Sequence, residues 1–289
     1  MMRIQFKLAL LCALCSCLVP TAFCQPGVQA ESERYADAGQ KALAAGRYEE
    51  ARASFEQLAR LEPAIAEVHA TLAVIYFKMH EYEQAVREIH SAQKLKPGLV
   101  KLDSLLGLSL AEMSEFKASL PSLEKGFKQT TDPEVRRMCG LQLLRVYSNL
   151  GRDSDAVETA LILNKSYPDD PEVLYHTGRT YGNFTYMVME KLHDKAPDSV
   201  WMLQAQGEAN ESQKDYDAAI AAFNHVLALE PRRPGVHFRL GRVYLSRYAA
   251  TRRPEDRAAA KQEFNSELQL DPSNGNSLYE LAQMSAEDK

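Results

Sequence analysis

Four stretches of this chain share one grammar at one length. Residues 46–63 (GRYEEARASFEQLARLEP), 80–97 (HEYEQAVREIHSAQKLKP), 151–168 (GRDSDAVETALILNKSYP) and 214–231 (KDYDAAIAAFNHVLALEP) are each 18 residues long and close on proline. Each opens on glycine or a polar pair, residues that stop a preceding helix, and the proline turns the residue before it away from helical backbone. Aligned on their prolines, the units put Ala51, Ala85, Ala156 and Ala219 in one column, with Phe55, Ile89, Ala160 and Phe223 four residues later. A spacing of four marks one face of a helix. The small residue lets a neighbouring helix approach closely, and the larger one fills the adjacent gap.

A second helical pattern precedes each unit: LAVIY (72–76), LGLSL (106–110), LLRVY (143–147), TGRTY (177–181) and LGRVY (240–244). A large residue, a small one and a Tyr or Leu three further on again describe a packing face. Pro63 and Pro97 stand 34 residues apart, as do Pro197 and Pro231, and that is the period of a helix–turn–helix repeat. With these columns of Gly/Ala, Tyr, Ala, Phe and Pro the chain resembles the tetratricopeptide repeat (TPR) family. The resemblance implies an all-α fold, a right-handed α-solenoid of about seven helix–turn–helix repeats with a C-terminal capping helix. The frames fall at 32–65, 66–99, 100–136, 137–170, 171–199, 200–233 and 234–274, with the cap at 275–289.

Three frames depart from the pattern. The third carries Thr131 in place of proline and three extra residues before the fourth. The fifth is five residues short and lacks the usual turn, so GNFTYMVMEKLHDKAP is expected to fold back abruptly and bend the solenoid. The seventh gains seven residues around SRYAATRRPEDR (246–257), expected as a projecting loop.

Composition narrows the partners. At 289 residues, 45% hydrophobic and 25% charged, the chain is an ordinary globular sequence. Its net charge of −5 excludes a broad electrostatic attraction to phosphate backbones, so nucleic acid is not expected as a partner.

No catalytic set emerges. GLSLA (107–111) nearly spells a nucleophile elbow around Ser109, but that motif needs a strand, a sharp turn and a helix, and here it occupies packing positions of a helix. HEYEQ (80–84) begins like a zinc-protease motif and ends in glutamine, with His80 in a turn. None of the seven histidines pairs with another at i,i+4, and no glycine-rich phosphate loop is present. Cys139 shares its column with Val68, Leu102, Val173, Met202 and Val236, so it reads as a core residue rather than a reactive thiol. No enzyme activity, metal or cofactor is expected.

In TPR proteins the first helix of each repeat lines the concave face, through positions 2, 5, 9, 12 and 13 of the frame. By that resemblance, position 9 of the frames reads Gln40, Val74, Leu108, Arg145, Arg179, Glu208 and Arg242, position 13 adds Asn149 and Asn183, position 5 adds Tyr175 and Phe238, and position 2 adds Trp201. Arg145, Asn149, Tyr175, Arg179, Asn183, Trp201, Phe238 and Arg242 are therefore the expected partner-binding groove. Arginine and asparagine one helical turn apart suit a carboxylate or a peptide backbone. Ala36 and Gln40 stand where the chaperone-binding carboxylate clamp has Lys and Asn, so chaperone-tail binding is not implied.

The first segment, MMRIQFKLALLCALCSCLVPTAFCQPGVQA, has a basic head, an apolar run broken by Pro20 and a polar exit. That is the pattern of a secretory signal sequence over 1–24. Ala22 and Cys24 fit the small positions before a cut at Gln25, leaving 25–31 as a linker; Val28 and Ala30 frame a second site. Two rivals stay open. LCSC (14–17) loosely resembles a lipobox that would attach lipid to Cys17, or the leader is retained as an anchor, although it is short for a span. Four of the five cysteines lie in the leader, so a mature chain keeps only Cys139 and no internal disulfide.

The expected protein is an exported, periplasmic or extracellular, non-enzymatic scaffold that binds a protein or extended peptide, with a role in envelope assembly. The alternative is a hydrolase or enzyme subunit whose site is hidden in the degenerate fifth to seventh repeats. Sequencing of the mature N-terminus is expected to begin at Gln25; an intact Met1 in a cytosolic fraction would refute export, and lipid on Cys17 would select the lipoprotein form.

Overall fold

The computed structural model describes residues 26–97 and 100–287. The signal sequence, its cut before Gln25 and the lipidation position Cys17 lie outside the described residues. Fourteen α-helices and no strand occur among the described residues. Six hairpins account for twelve of the helices: α1 (Pro26–Ala44) with α2 (Tyr48–Leu61), α3 (Ala66–Lys78) with α4 (Tyr82–Leu95), α5 (Val100–Glu112) with α6 (Phe116–Gln129), α7 (Pro133–Asn149) with α8 (Asp153–Ser166), α10 (Val200–Ser212) with α11 (Tyr216–Leu229), and α12 (Val236–Thr251) with α13 (Pro254–Leu270). The remaining two are a long single helix, α9 (Pro171–Lys195), and the terminal α14 (Gly275–Glu287). The architecture is all-α and built of helical repeats. Residues 26–31, expected within a linker, are the first turns of α1.

Five hairpins turn on the same device. Gly46, His80, Ser114, Gly151 and Lys214 have φ between 61° and 73°, each two residues past the end of a first helix. The next residue's N–H then reaches back five residues to a helix carbonyl: Arg47 to Ala42, Glu81 to Tyr76, Glu115 to Leu110, Arg152 to Tyr147 and Asp215 to Asn210, all at 2.9 Å. This is the left-handed Schellman cap, which satisfies a carbonyl that the helix end would leave bare.

The fifth frame lacks that cap. Residues 171–199 do not fold back: α9 runs 25 residues without a turn, and no residue between Gly151 and Lys214 takes a positive φ. Without a left-handed residue the helix simply continues, which corrects the expected abrupt hairpin. The expected loop at 246–257 is also absent. Its residues lengthen the helices, giving 16 in α12 and 17 in α13 against 13 and 14 in α10 and α11. Only Arg252, left-handed at φ 60°, and Arg253 separate the two helices before Pro254 starts α13 at its first turn.

Two compact units make up the chain, one ending at Thr177 and the other beginning at Gly178. In both, a glycine of a first helix lets the second helix of its hairpin come close. A Cβ added at Gly39 would lie 2.7 Å from the Phe55 ring, at Gly207 2.8 Å from Phe223, and at Gly241 2.6 Å from Phe264. At Gly107 it would meet the backbone nitrogen of Leu123 at 2.7 Å. The second-helix ring thus lies where a first-helix side chain would stand, and the rings of Phe223 and Phe264 are fully buried. Ala51, Ala85, Ala156 and Ala219, one turn earlier, are buried as their column requires. Cys139 is buried too, and burial, partly offset by a Ser104 hydrogen bond, pushes its thiol up to about 11. Ser109 is buried and donates to Leu105 O within its own helix at 2.8 Å.

Charged staples join the layers. His69 on α3 places Nδ1 2.6 Å from Glu88 Oε2 of α4 and Nε2 3.0 Å from the Pro63 carbonyl. Two acceptors around one ring favour the doubly protonated imidazolium. Burial by itself opposes that charge, but the Glu88 hydrogen bond, the Pro63 carbonyl and the Glu88 charge together outweigh it and raise the His69 pKa. In the last hairpin Glu267 of α13 accepts from the N–H groups of Gly235 and Phe238 at 2.8 and 3.2 Å, supplying the cap that glycine at the start of α12 lacks.

Two measurements check these assignments. Gly207→Ala is expected to destabilise by about 1–3 kcal/mol, because the buried Phe223 ring has nowhere to move. Gly178, in the same column of the frames, has nothing within 4 Å of an added Cβ, so Gly178→Ala is expected to stabilise by up to about 1 kcal/mol. Urea unfolding that ranks the two alike would refute the packing. For His69, a raised folded pKa gives stability that is full below the unfolded value of about 6.5 and is lost as pH rises through the folded value. Glu88→Gln is expected to flatten that fall in thermal stability, and an unchanged pH slope would remove His69 as its source.

Candidate functional site

The eight expected groove residues divide between the units: Arg145, Asn149 and Tyr175 belong to the first, Arg179, Asn183, Trp201, Phe238 and Arg242 to the second. In the first unit the first helices touch one another, α3 with α5 and α5 with α7, so their side chains share a layer. There Arg145 NH1 lies 3.5 Å from Glu112 Oε2 and its guanidinium sits over the Phe116 ring at 5.6 Å. Gln142 donates to the other Glu112 oxygen at 2.5 Å. Asn149 turns back on its own helix and donates to the Arg145 carbonyl at 2.9 Å. Tyr175 is exposed and meets His176 edge-on.

Phe238 is half-buried. It packs against Phe264, ring centroids 5.8 Å apart, on the core cluster of the last hairpin, beside the ring that also rests on Gly241. Trp201 is exposed, with the Arg233 guanidinium 3.9 Å from its ring centroid. Arg233 is itself held by Glu230 at 2.8 Å and Gln204 at 3.0 Å. Arg179 and Asn183 are exposed on α9.

Arg242 has charged neighbours on two helices. It borders a depression of about 430 Å³ lined by Glu208, Glu211 and Ser212 of α10, Lys214 in the turn, Tyr216 of α11, and Arg239, Arg242 and Ser246 of α12. Arg239 Nε stands 3.3 Å from Glu208 Oε1, and Arg242 NH2 3.7 Å from Glu211 Oε1. Glu208 also accepts from Gln204 at 3.0 Å. Three cations face two carboxylates, and both arginines keep about half their side chains in solvent. The geometry offers guanidinium donors one helical turn apart, with two carboxylates and two serine hydroxyls beside them, a surface for hydrogen-bonding an extended polar chain.

The frame positions for groove residues locate Glu208 and Arg242. Glu211 is legible too, at position 12, but Arg239 lies at position 6, outside the lining set. Lys214 and Tyr216 enter the depression because the left-handed turn brings the start of α11 to its rim. Among the described residues no group of three or more His, Cys, Asp or Glu side chains is placed to hold a metal ion. None of the described helices is long and apolar enough to cross a membrane.

Two stretches of the chain, residues 42–106 and 205–275, match family models described as tetratricopeptide repeat. No curated protein matches. Among solved structures, a mutant of MamA is 21% identical over 54% of this chain and 90% of its own, with a TM-score of 0.48. PilF of Pseudomonas aeruginosa is 16% identical over 89% and 99%, with a TM-score of 0.43. YrrB, described as a TPR protein with an unusual peptide-binding site, is 14% identical over 79% and 97%, with a TM-score of 0.36. The two matched stretches bracket hairpins that repeat one cap and one glycine–aromatic contact, and the chain is a member of the tetratricopeptide-repeat family.

Proposed function

We propose that the protein is an exported, non-enzymatic scaffold that holds an extended segment of another protein on its first-helix face, in cell-envelope assembly. The depression between α10 and α12 is its anchor point in the second unit. One observation carries the reading: Arg239 and Arg242 stand side by side, half exposed, against carboxylates at 3.3 and 3.7 Å that engage them by charge rather than by hydrogen bonds. Their N–H groups are available to a peptide carbonyl or carboxylate, and Glu208 and Glu211 to its amides or basic side chains. Export rests on the leader, and membrane contact would arise only through an uncleaved leader or lipid on Cys17.

A photo-crosslinker placed at Ser246 in living cells, followed by mass spectrometry, is expected to capture a reproducible protein partner. Arg239→Ala with Arg242→Ala is expected to weaken that capture about tenfold or more while leaving helicity intact, since charge-assisted hydrogen bonds are lost. Arg87→Ala, on the exposed surface of α4, is the control and should change nothing. Normal capture by the double variant would dismiss the anchor, and turnover of a hydrolase substrate abolished by one substitution would favour the enzyme alternative.

A further inference from the structure

The second half of α9 presents an unusual face to solvent. Tyr186 leaves 71% of its surface exposed, and Met187, Val188 and Met189 about 40% each. Four large apolar residues in a row cannot all be turned inward on a helix, and a band of this size on a protein surface marks an interaction site. The same helix carries Gly182, where an added Cβ would meet nothing within 4 Å. On the helical wheel Gly182, Thr185, Tyr186 and Met189 fall in one stripe, all of them exposed.

The stripe is complementary to itself. Laid antiparallel against a second copy, with the two-fold axis between Thr185 and Tyr186, Met189 of each chain falls opposite Gly182 of the other, and Thr185 opposite Tyr186. Large residues meet the hollows that small ones leave, as close helix pairing requires. Charge agrees with shape. Arg179 and Glu190 lie on one edge of this stripe at its two ends, so the antiparallel arrangement brings Arg179 of each copy beside Glu190 of the other, twice. The opposite edge, with Tyr181, Val188 and Leu192, carries no charge. A parallel two-fold would instead set this charged edge against the uncharged edge of the other copy, where neither Arg179 nor Glu190 meets an opposite charge.

We infer that α9 is a self-association surface, on which a second copy of this chain docks through the same helix in an antiparallel, two-fold contact. Interfaces of this kind are isologous and close on themselves as dimers. A contact between single helices is at the small end of specific interfaces, so association in about the micromolar range is expected.

Sedimentation equilibrium of the purified protein across that range is expected to show a monomer–dimer equilibrium. Gly182→Gln, which fills the hollow for Met189, is expected to weaken association more than about tenfold with circular dichroism unchanged, because the site is open in the monomer. Arg179→Glu is expected to weaken it roughly threefold to tenfold, and adding Glu190→Arg to that variant should restore it, since the swap rebuilds both ion pairs. A wild-type protein that stays monomeric throughout overturns the inference. So does undiminished association of Gly182→Gln, or a charge swap that fails to rescue.

Discussion

A phenyl ring lying where a first-helix side chain would otherwise stand is the contact on which the repeats depend. Phe55, Phe223 and Phe264 rest on Gly39, Gly207 and Gly241 at distances no Cβ could tolerate, so the separation of the two helices is set by the missing methyl group. Fully burying such a ring stabilises by roughly 1.5–3 kcal/mol, a large share of what any one hairpin contributes. Where the first helix carries Ala73 instead of glycine, the second answers with the narrower Ile89, both fully buried. Volume is conserved across the pair, as a close-packed interior demands.

The second condition is the left-handed residue that lets each hairpin close. Glycine supplies it at 46 and 151 without steric cost, whereas His80, Ser114 and Lys214 take the same conformation with a side chain attached. The cap's hydrogen bond and the packing of both helices hold those three residues there. In α9 neither condition is met. No residue turns, no second helix follows, and Gly178 seats nothing. One local property, the absence of a stop, accounts for the length of α9, for its idle glycines and for the apolar band left in solvent.

Much of this is legible in the sequence. The closing prolines and the alanine column place the second helices, and the large–small pairs in LGLSL and LGRVY mark the first helices and their glycines. Two elements depart from expectation for one reason. In both 171–199 and 246–257 a change of frame length suggests a change in the turn, whereas the chain absorbs it as helix. Alanine-rich 246–260 favours that outcome on propensity. For α9 the sign is weaker, because Ser114 and Lys214 show that a hairpin does not need glycine at its turn. Frame position alone assigns Phe238 to the groove, and only the contact with Phe264, the ring that rests on Gly241, shows that it also packs on the core of the last hairpin. Arg239 escapes because its position faces the depression only in the geometry of this pair of helices.

The first-helix charges stand in a different relation to the fold than the glycine–aromatic contacts do. Arg145 meets Glu112, Arg239 meets Glu208 and Arg242 meets Glu211, each across successive first helices of its own unit. All three arginines are about half exposed, and pairs of that kind contribute at most about 1 kcal/mol to stability. Within each unit they set opposite charges against one another where first helices stack. Because the hairpins are closed by buried rings and capped turns, exchange of these partners for those of an incoming chain costs the fold little. A surface that recognises by polar contacts needs such a division, with rigidity supplied beneath it and charges free to be re-paired above.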